Sequence, residues 1–208
     1  MNLVAHQLLS FDNKDLQIGN LLGDFIKGNK YLTFPDKIKI GILLHREIDS
    51  FTDSHEIVKK SASYFHASQH KFSPIIIDVI YDYFLIKHWH LFSKIPFDKF
   101  KDNCYQLFQN RYDGLPEKLQ TKISYLIKYD WYENYRTIEG VQKTLKGIGK
   151  QSKFENNLDN IVTEFEINYT TLENDFLSFY PKLINHCKTF LNSYSNNEIS
   201  FENTYKNQ

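Results

Sequence analysis

The segment from Ser73 to Phe92, SPIIIDVIYDYFLIKHWHLF, constrains the fold more than any other part of the chain. Ser followed by Pro reads as a helix start, with the hydroxyl as N-cap and the proline at the first helical position. Pro74 to Phe92 then predicts a helix of about five turns. Its apolar residues lie on nearly every side, so it cannot rest at a surface and must sit in the middle of a bundle. Yet this segment carries Asp78 and Asp82, one turn apart. A carboxylate taken out of water without a partner costs several kcal/mol, so each acid must be paired, hydrogen-bonded or bound to a cation.

The rest of the chain agrees with an all-α bundle. Leu16 to Lys27, LQIGNLLGDFIK, predicts a short helix ending at Gly28-Asn29. Pro35-Asp36 opens a second one, in which Ile40, Leu43, Leu44, Ile48 and Phe51 recur at three- and four-residue intervals. Further helices are expected near residues 97–110, 116–130 and 138–150. A long one is expected from Phe154, to be kinked or broken at Pro181. Two-residue alternation and hairpin dipeptides between such runs are missing, so strands are not expected. With 208 residues and no linker, the chain reads as a single-domain helical bundle over residues 1–193, followed by a polar tail, 194–208, expected to be loose.

Composition narrows the partners. Lys and Arg together number 25, as do Asp and Glu, so no global field draws the chain to nucleic acid or to an anionic membrane. No run is long and apolar enough to cross a bilayer, and Met1 to Ser10 lacks the layout of a secretion signal. A cytoplasmic protein is the expectation. Cys104 and Cys187 lack metal-type spacing and are expected to be free, buried thiols.

The chemistry-bearing residues crowd into the first 90 positions. His45 and Asp49 are four apart and share a helix face, as do Asp78 and Asp82. Two such pairs can converge on one divalent metal, with Asp24 supplying a further oxygen and His6 a nitrogen. A nitrogen and carboxylate shell suits manganese, iron, zinc or magnesium without choosing among them. The alternatives are a solvated His45/Asp49 pair and buried acids that answer a neighbouring Arg or Lys. Arg46 is the candidate phosphate ligand, or else a partner for Glu47 or Asp49; Asp53 is an outer carboxylate or a surface group. His88 and His90, two apart, cannot chelate together. His88 should cap or pack with Trp89, and His55, His66, His70 and His186 should lie at the surface. No nucleotide loop, nucleophile elbow or H-E-x-x-H is present. A metal-activated water remains as the nucleophile.

The segments NLVAH (2–6), GNLLGDFIKG (19–28), GILLHREIDSFTD (41–53) and DVIYDYFLIKHW (78–89) resemble, in order and spacing, the signature blocks of the acyl carrier protein phosphodiesterases. YPKL (180–183) extends the likeness loosely into the C-terminal half. The resemblance implies an all-helical fold distantly related to the HD phosphohydrolases. It also implies a divalent metal, usually manganese, and release of 4′-phosphopantetheine from holo-acyl carrier protein. Carried over by position, it implies a ligand or active-site set of Asp24, His45, Asp49, Asp78 and Asp82, with His6 and Arg46 close by. In the mechanism so implied, Asp24, Arg46 and Asp78 act in catalysis. The acidic carrier calls for a basic rim, for which Lys27, Lys30, Lys37, Lys39, Lys59 and Lys60 are candidates. One position departs from the pattern: Tyr83 stands where the family commonly has His.

Overall fold

The computed structural model describes residues 2–194, and among them there are twelve α-helices, four short 3₁₀ turns and no strand. In chain order the helices are α1 (Leu3–Leu8), α2 (Lys14–Leu22), α3 (Asp36–Ser54), α4 (Glu56–Ser63), α5 (His66–Gln69) and α6 (Ser73–Lys87). They continue as α7 (Trp89–Phe92), α8 (Phe97–Asn110), α9 (Glu117–Lys128), α10 (Trp131–Asn134), α11 (Ile138–Gln151) and α12 (Val162–Asn192). The fold is all-α. The polar tail expected from 194 onward lies, beyond Tyr194, outside the described residues.

Helix α6 is the hub, packed against α1, α4, α7, α11 and α12. Ile76, Ile77, Val79, Ile80, Tyr81, Phe84 and Leu85 are all fully buried. At about 1.5–3 kcal/mol per large apolar side chain, this one element accounts for much of the drive to fold. Its start differs in detail from the expectation. Ser73 lies inside the first turn with Pro74, and its hydroxyl donates back to the carbonyl of His70 (2.8 Å) instead of capping. Its end differs too. The backbone leaves the helix at His88, whose ring bonds Glu173 on α12 (2.6 Å), so the expected five-turn helix is two pieces, α6 and α7.

Helix α12 runs unbroken over 31 residues with Pro181 inside it. A proline removes one helical hydrogen bond and costs about 3 kcal/mol. On either side of it Leu172, Phe176, Phe179, Tyr180, Leu183, Cys187 and Leu191 are buried, and that burial outweighs the loss. The helix begins at Val162 and not near Phe154. The side-chain amide of Asn156 donates to the carbonyls of Gly149 and Phe154, which holds the preceding segment in a turn. Cys104 and Cys187 are free and buried. No helix among the described residues is long and apolar enough to cross a membrane.

Two glycines set the position of the site. A Cβ on Gly19 would come within 2.7 Å of the Gly41 Cα, and one on Gly41 within 2.5 Å of the Leu16 carbonyl. Helices α2 and α3 therefore touch backbone to backbone, closer than any residue with a side chain would permit. Helix α2 ends at Leu22. The chain then turns through Gly23 and Asp24 toward a 3₁₀ turn over Gly28–Thr33, which Gly28 enters with φ +57°.

Candidate active site

The close approach of α2 and α3 brings Asn20 and Asp24 against His45 and Asp49, and α1 lays His6 beside them. The His6 and His45 rings stack with centroids 4.3 Å apart. Gly23 leaves room for this, since a Cβ there would collide with the His45 ring. Asn20 then decides the state of both imidazoles. Its Nδ2 donates to the His6 carbonyl (2.8 Å) and to Ser10 Oγ (3.1 Å). A carbonyl only accepts, so the orientation of the amide is fixed and its Oδ1 must face the rings. That oxygen lies 2.8 Å from His6 Nδ1 and 3.1 Å from His45 Nδ1. Both Nδ1 atoms therefore carry hydrogen, and in neutral rings both Nε2 atoms are bare lone pairs.

Those lone pairs meet carboxylates. His6 Nε2 is 3.1 Å from Asp49 Oδ1, and His45 Nε2 is 3.2 Å from Asp49 Oδ2 and 3.3 Å from Asp24 Oδ1. Acceptor faces acceptor unless a cation, either a proton or a metal ion, lies between them. Without metal the proton goes to His45. Burial alone would lower its pKa, but hydrogen bonds to Asp24 and Asp49 outweigh burial and hold it at about 9. His6 is pushed down, by burial and then by His45, against a smaller pull from Asp49. Asp24 is held well below the ordinary carboxylate range, chiefly by its bond to His45 and also by Lys122. Asp49 is lowered as well, its bonds to His45 and His6 overcoming the opposing effect of burial.

The cluster opens onto a cleft of about 250 Å³, lined also by Asp53, Asp78 and Lys122. Burial, followed by the nearby Asp78 carboxylate, raises the pKa of Asp53. Ligand atoms of His6, His45 and Asp49 lie within 4.8 Å of one another. Two imidazole nitrogens with their far sides fixed by hydrogen bonds, one shared carboxylate and an open side fit a divalent cation.

The comparisons with known proteins give the family. The sequence model of the acyl carrier protein phosphodiesterases matches residues 1–183. The chain belongs to that family. It is 32% identical over 152 residues to the acyl carrier protein phosphodiesterase of Yersinia pestis, covering 73% of this chain and 79% of that protein. It is 34% identical over 146 residues to that of Pectobacterium atrosepticum, covering 70% and 76% respectively. The protein of the same name from Escherichia coli O6:H1 is 30% identical over 152 residues, covering 73% of this chain and 79% of that protein. No solved structure matches. The chain is an enzyme of this kind, a phosphodiesterase.

Within this family member, several residues singled out from sequence stand apart from the cluster. Asp82, expected as a metal ligand, is fully buried and turned to the start of α1, where its two oxygens accept from Val4 N (2.8 Å) and Ala5 N (3.2 Å). Burial raises its pKa to about 7, the two amides offsetting only part of that effect. With Asn2 Oδ1 accepting from Leu3 N, Asp82 completes the cap of the helix that carries His6. Arg46 lies one position round α3 from His45 and faces the other way. Its Nη2 donates to the carbonyls of Ile26 (2.8 Å) and Gly28 (2.9 Å), and its guanidinium lies over Tyr31, so it anchors the loop after Asp24 and does not line the cleft. Lys27 and Lys30 are exposed on that loop, also outside the cleft lining.

Tyr83 points away from the cleft. Its hydroxyl is 3.0 Å from that of Tyr169 on α12, and its ring packs edge-on to Phe84 and Phe165. The departure from the family pattern therefore leaves the cluster untouched. His88 does cap α6, as expected, whereas His55 caps α4 through Ile57 N and His186 stacks on Phe51 and pairs with Glu47. Asn20 and Lys122 were missed. Asn20 had one usable signal, its place between the two glycines of GNLLGD. Lys122, on α9, had none.

Proposed function

We propose that the chain hydrolyses the phosphodiester joining 4′-phosphopantetheine to a serine of holo-acyl carrier protein, releasing apo-carrier and 4′-phosphopantetheine. The observation that carries this is the pair of Nε2 lone pairs, fixed by a single asparagine, that converge with Asp49 at the floor of an acid-lined cleft. Family membership supplies the substrate class, and the cluster supports a hydrolytic, metal-dependent route. His6, His45 and Asp49 would hold the cation, with Asp78 and Asp24 at its open side. Manganese is the metal the family resemblance favours. Helix-borne His and Asp ligands also support a distant kinship with the HD phosphohydrolases.

A divalent cation held there supplies an acidified water and a Lewis acid for the phosphoryl oxygen. Asp24, beside His45 and half exposed, orients the attacking water and takes its proton. Water attacks the phosphorus as its proton passes to Asp24, the bond from phosphorus to the carrier's serine oxygen breaks, and that oxygen takes up a proton from bulk water. Asp82 acts through α1, keeping His6 in register. Lys27 and Lys30, exposed on the adjoining loop, offer an acidic carrier part of a basic rim. The reaction would take place in the cytoplasm.

The test is to incubate the protein with holo-acyl carrier protein and Mn²⁺ and to weigh the carrier by mass spectrometry. Loss of the 4′-phosphopantetheine mass, abolished by EDTA, is the expected result. An unchanged carrier mass would refute the reading.

A further inference from the structure

We infer that Lys122 is the residue that binds the phosphate of the substrate, a role the sequence suggested for Arg46. The inference rests on the phosphodiesterase reading above. Four carboxylates, Asp24, Asp49, Asp53 and Asp78, line the cleft. Even with a divalent cation in place the cleft is poor in positive charge, and an anionic diester must still enter it. Among the described residues that line the cleft, Lys122 is the one Lys or Arg. It arrives from α9, 98 positions beyond Asp24 in sequence, and its Nζ lies 3.0 Å from Asp24 Oδ2.

Three features suit Lys122 to exchange partners. The side chain is 27% exposed and that of Asp24 52%, and a partly exposed ion pair contributes little and opens readily. The ammonium group has three donors, of which Asp24 Oδ2 takes one, and its other neighbour is the Phe25 ring at 5.5 Å, which competes for none. Lys122 also stands on the Asp24 side of the His45 imidazole, so a phosphate held by Lys122 would lie beside the residues that would hold the cation. Arg46 offers no comparable freedom, because two backbone carbonyls already hold its guanidinium.

A purely structural role, holding Asp24 in place, makes the opposite set of predictions, and Lys122→Gln and Lys122→Arg separate the two. With manganese-loaded protein and holo-acyl carrier protein, Lys122→Gln should raise KM about tenfold, the size of one charge-assisted hydrogen bond. It should weaken inhibition by inorganic phosphate by a similar factor, and Lys122→Arg should restore most of both. Mn²⁺ affinity should stay level or tighten in Lys122→Gln, because a competing cation has left Asp24. Unchanged KM and phosphate inhibition together with weaker Mn²⁺ binding would overturn the inference. Thermal stabilisation of the manganese-loaded protein by inorganic phosphate reads Lys122 independently of turnover. If wild-type protein left holo-carrier intact, the functional reading would fall. Phosphate stabilisation that Lys122→Gln removes would still support Lys122, and stabilisation that it leaves intact would reject it.

Discussion

Two polar regions of this molecule look alike in composition and differ in kind. Where α4, α6 and α12 meet, polar side chains pair with one another across the helices. Ser61 Oγ donates to Asp175 (3.0 Å) and lies 2.9 Å from the Tyr81 hydroxyl, while Lys60 pairs with the same Asp175. Glu173 takes both Lys87 and His88, and Tyr83 meets Tyr169. Where α1, α2 and α3 meet, Asn20 takes up both Nδ1 hydrogens and leaves two Nε2 atoms facing carboxylates. The first network ties helices together. The second brings two imidazole nitrogens and a shared carboxylate to one point, an arrangement suited to a cation.

Mutations should break this contrast in a graded way. His45→Ala removes a proposed ligand and should reduce turnover and Mn²⁺ affinity by more than the about 100-fold typical of losing an outer hydrogen-bond partner. A steady-state assay with the carrier and a metal titration would show it. Asn20→Leu leaves both rings in place but frees their tautomers, and should weaken Mn²⁺ binding roughly 10- to 100-fold. Asp82→Asn replaces one of two acceptors with a donor aimed at an amide. It should lower stability by about 1–3 kcal/mol in a denaturant melt and weaken Mn²⁺ binding in proportion as α1 loosens. Tyr83→Phe, in the first region, should cost about 1 kcal/mol of stability and leave turnover unchanged. Loss of turnover from Tyr83→Phe would erase the distinction between the regions.

How much of this the sequence disclosed follows from geometry. The central helix was legible because an element apolar on all sides has one place to go. His45 and Asp49 were legible because helical neighbours four apart share a face. Spacing could not say which side of a fully buried helix faces the cleft, so Asp82 looked equivalent to Asp78, whereas the two serve α1 and the cleft respectively. Adjacency misled for Arg46, since consecutive helical residues point about 100° apart. Asn20 reads as an ordinary polar residue until the His6 carbonyl fixes its amide. Lys122 reaches the cleft only through tertiary packing of α9, which no local pattern encodes.

Protonation sharpens the same comparison. In metal-free protein His45 holds its proton up to about pH 9, above the unfolded value near 6.5. Its contribution to stability is therefore complete below about pH 6.5 and lost as pH rises toward 9. His6 is shifted downward and acts in the opposite sense, below about pH 6.5. A metal ion must displace the proton on His45, so metal binding and that proton compete.

A calorimetric titration of metal-free protein with Mn²⁺ across pH 6.5–9 examines this competition directly. The expected result is one ion per chain, with protons released to the buffer and affinity rising up to about tenfold per pH unit until it levels near pH 9. Both signals should vanish in His45→Ala. An absence of binding, or binding that ignores pH and survives His45→Ala, would contradict the assignment of His6, His45 and Asp49 as a metal centre.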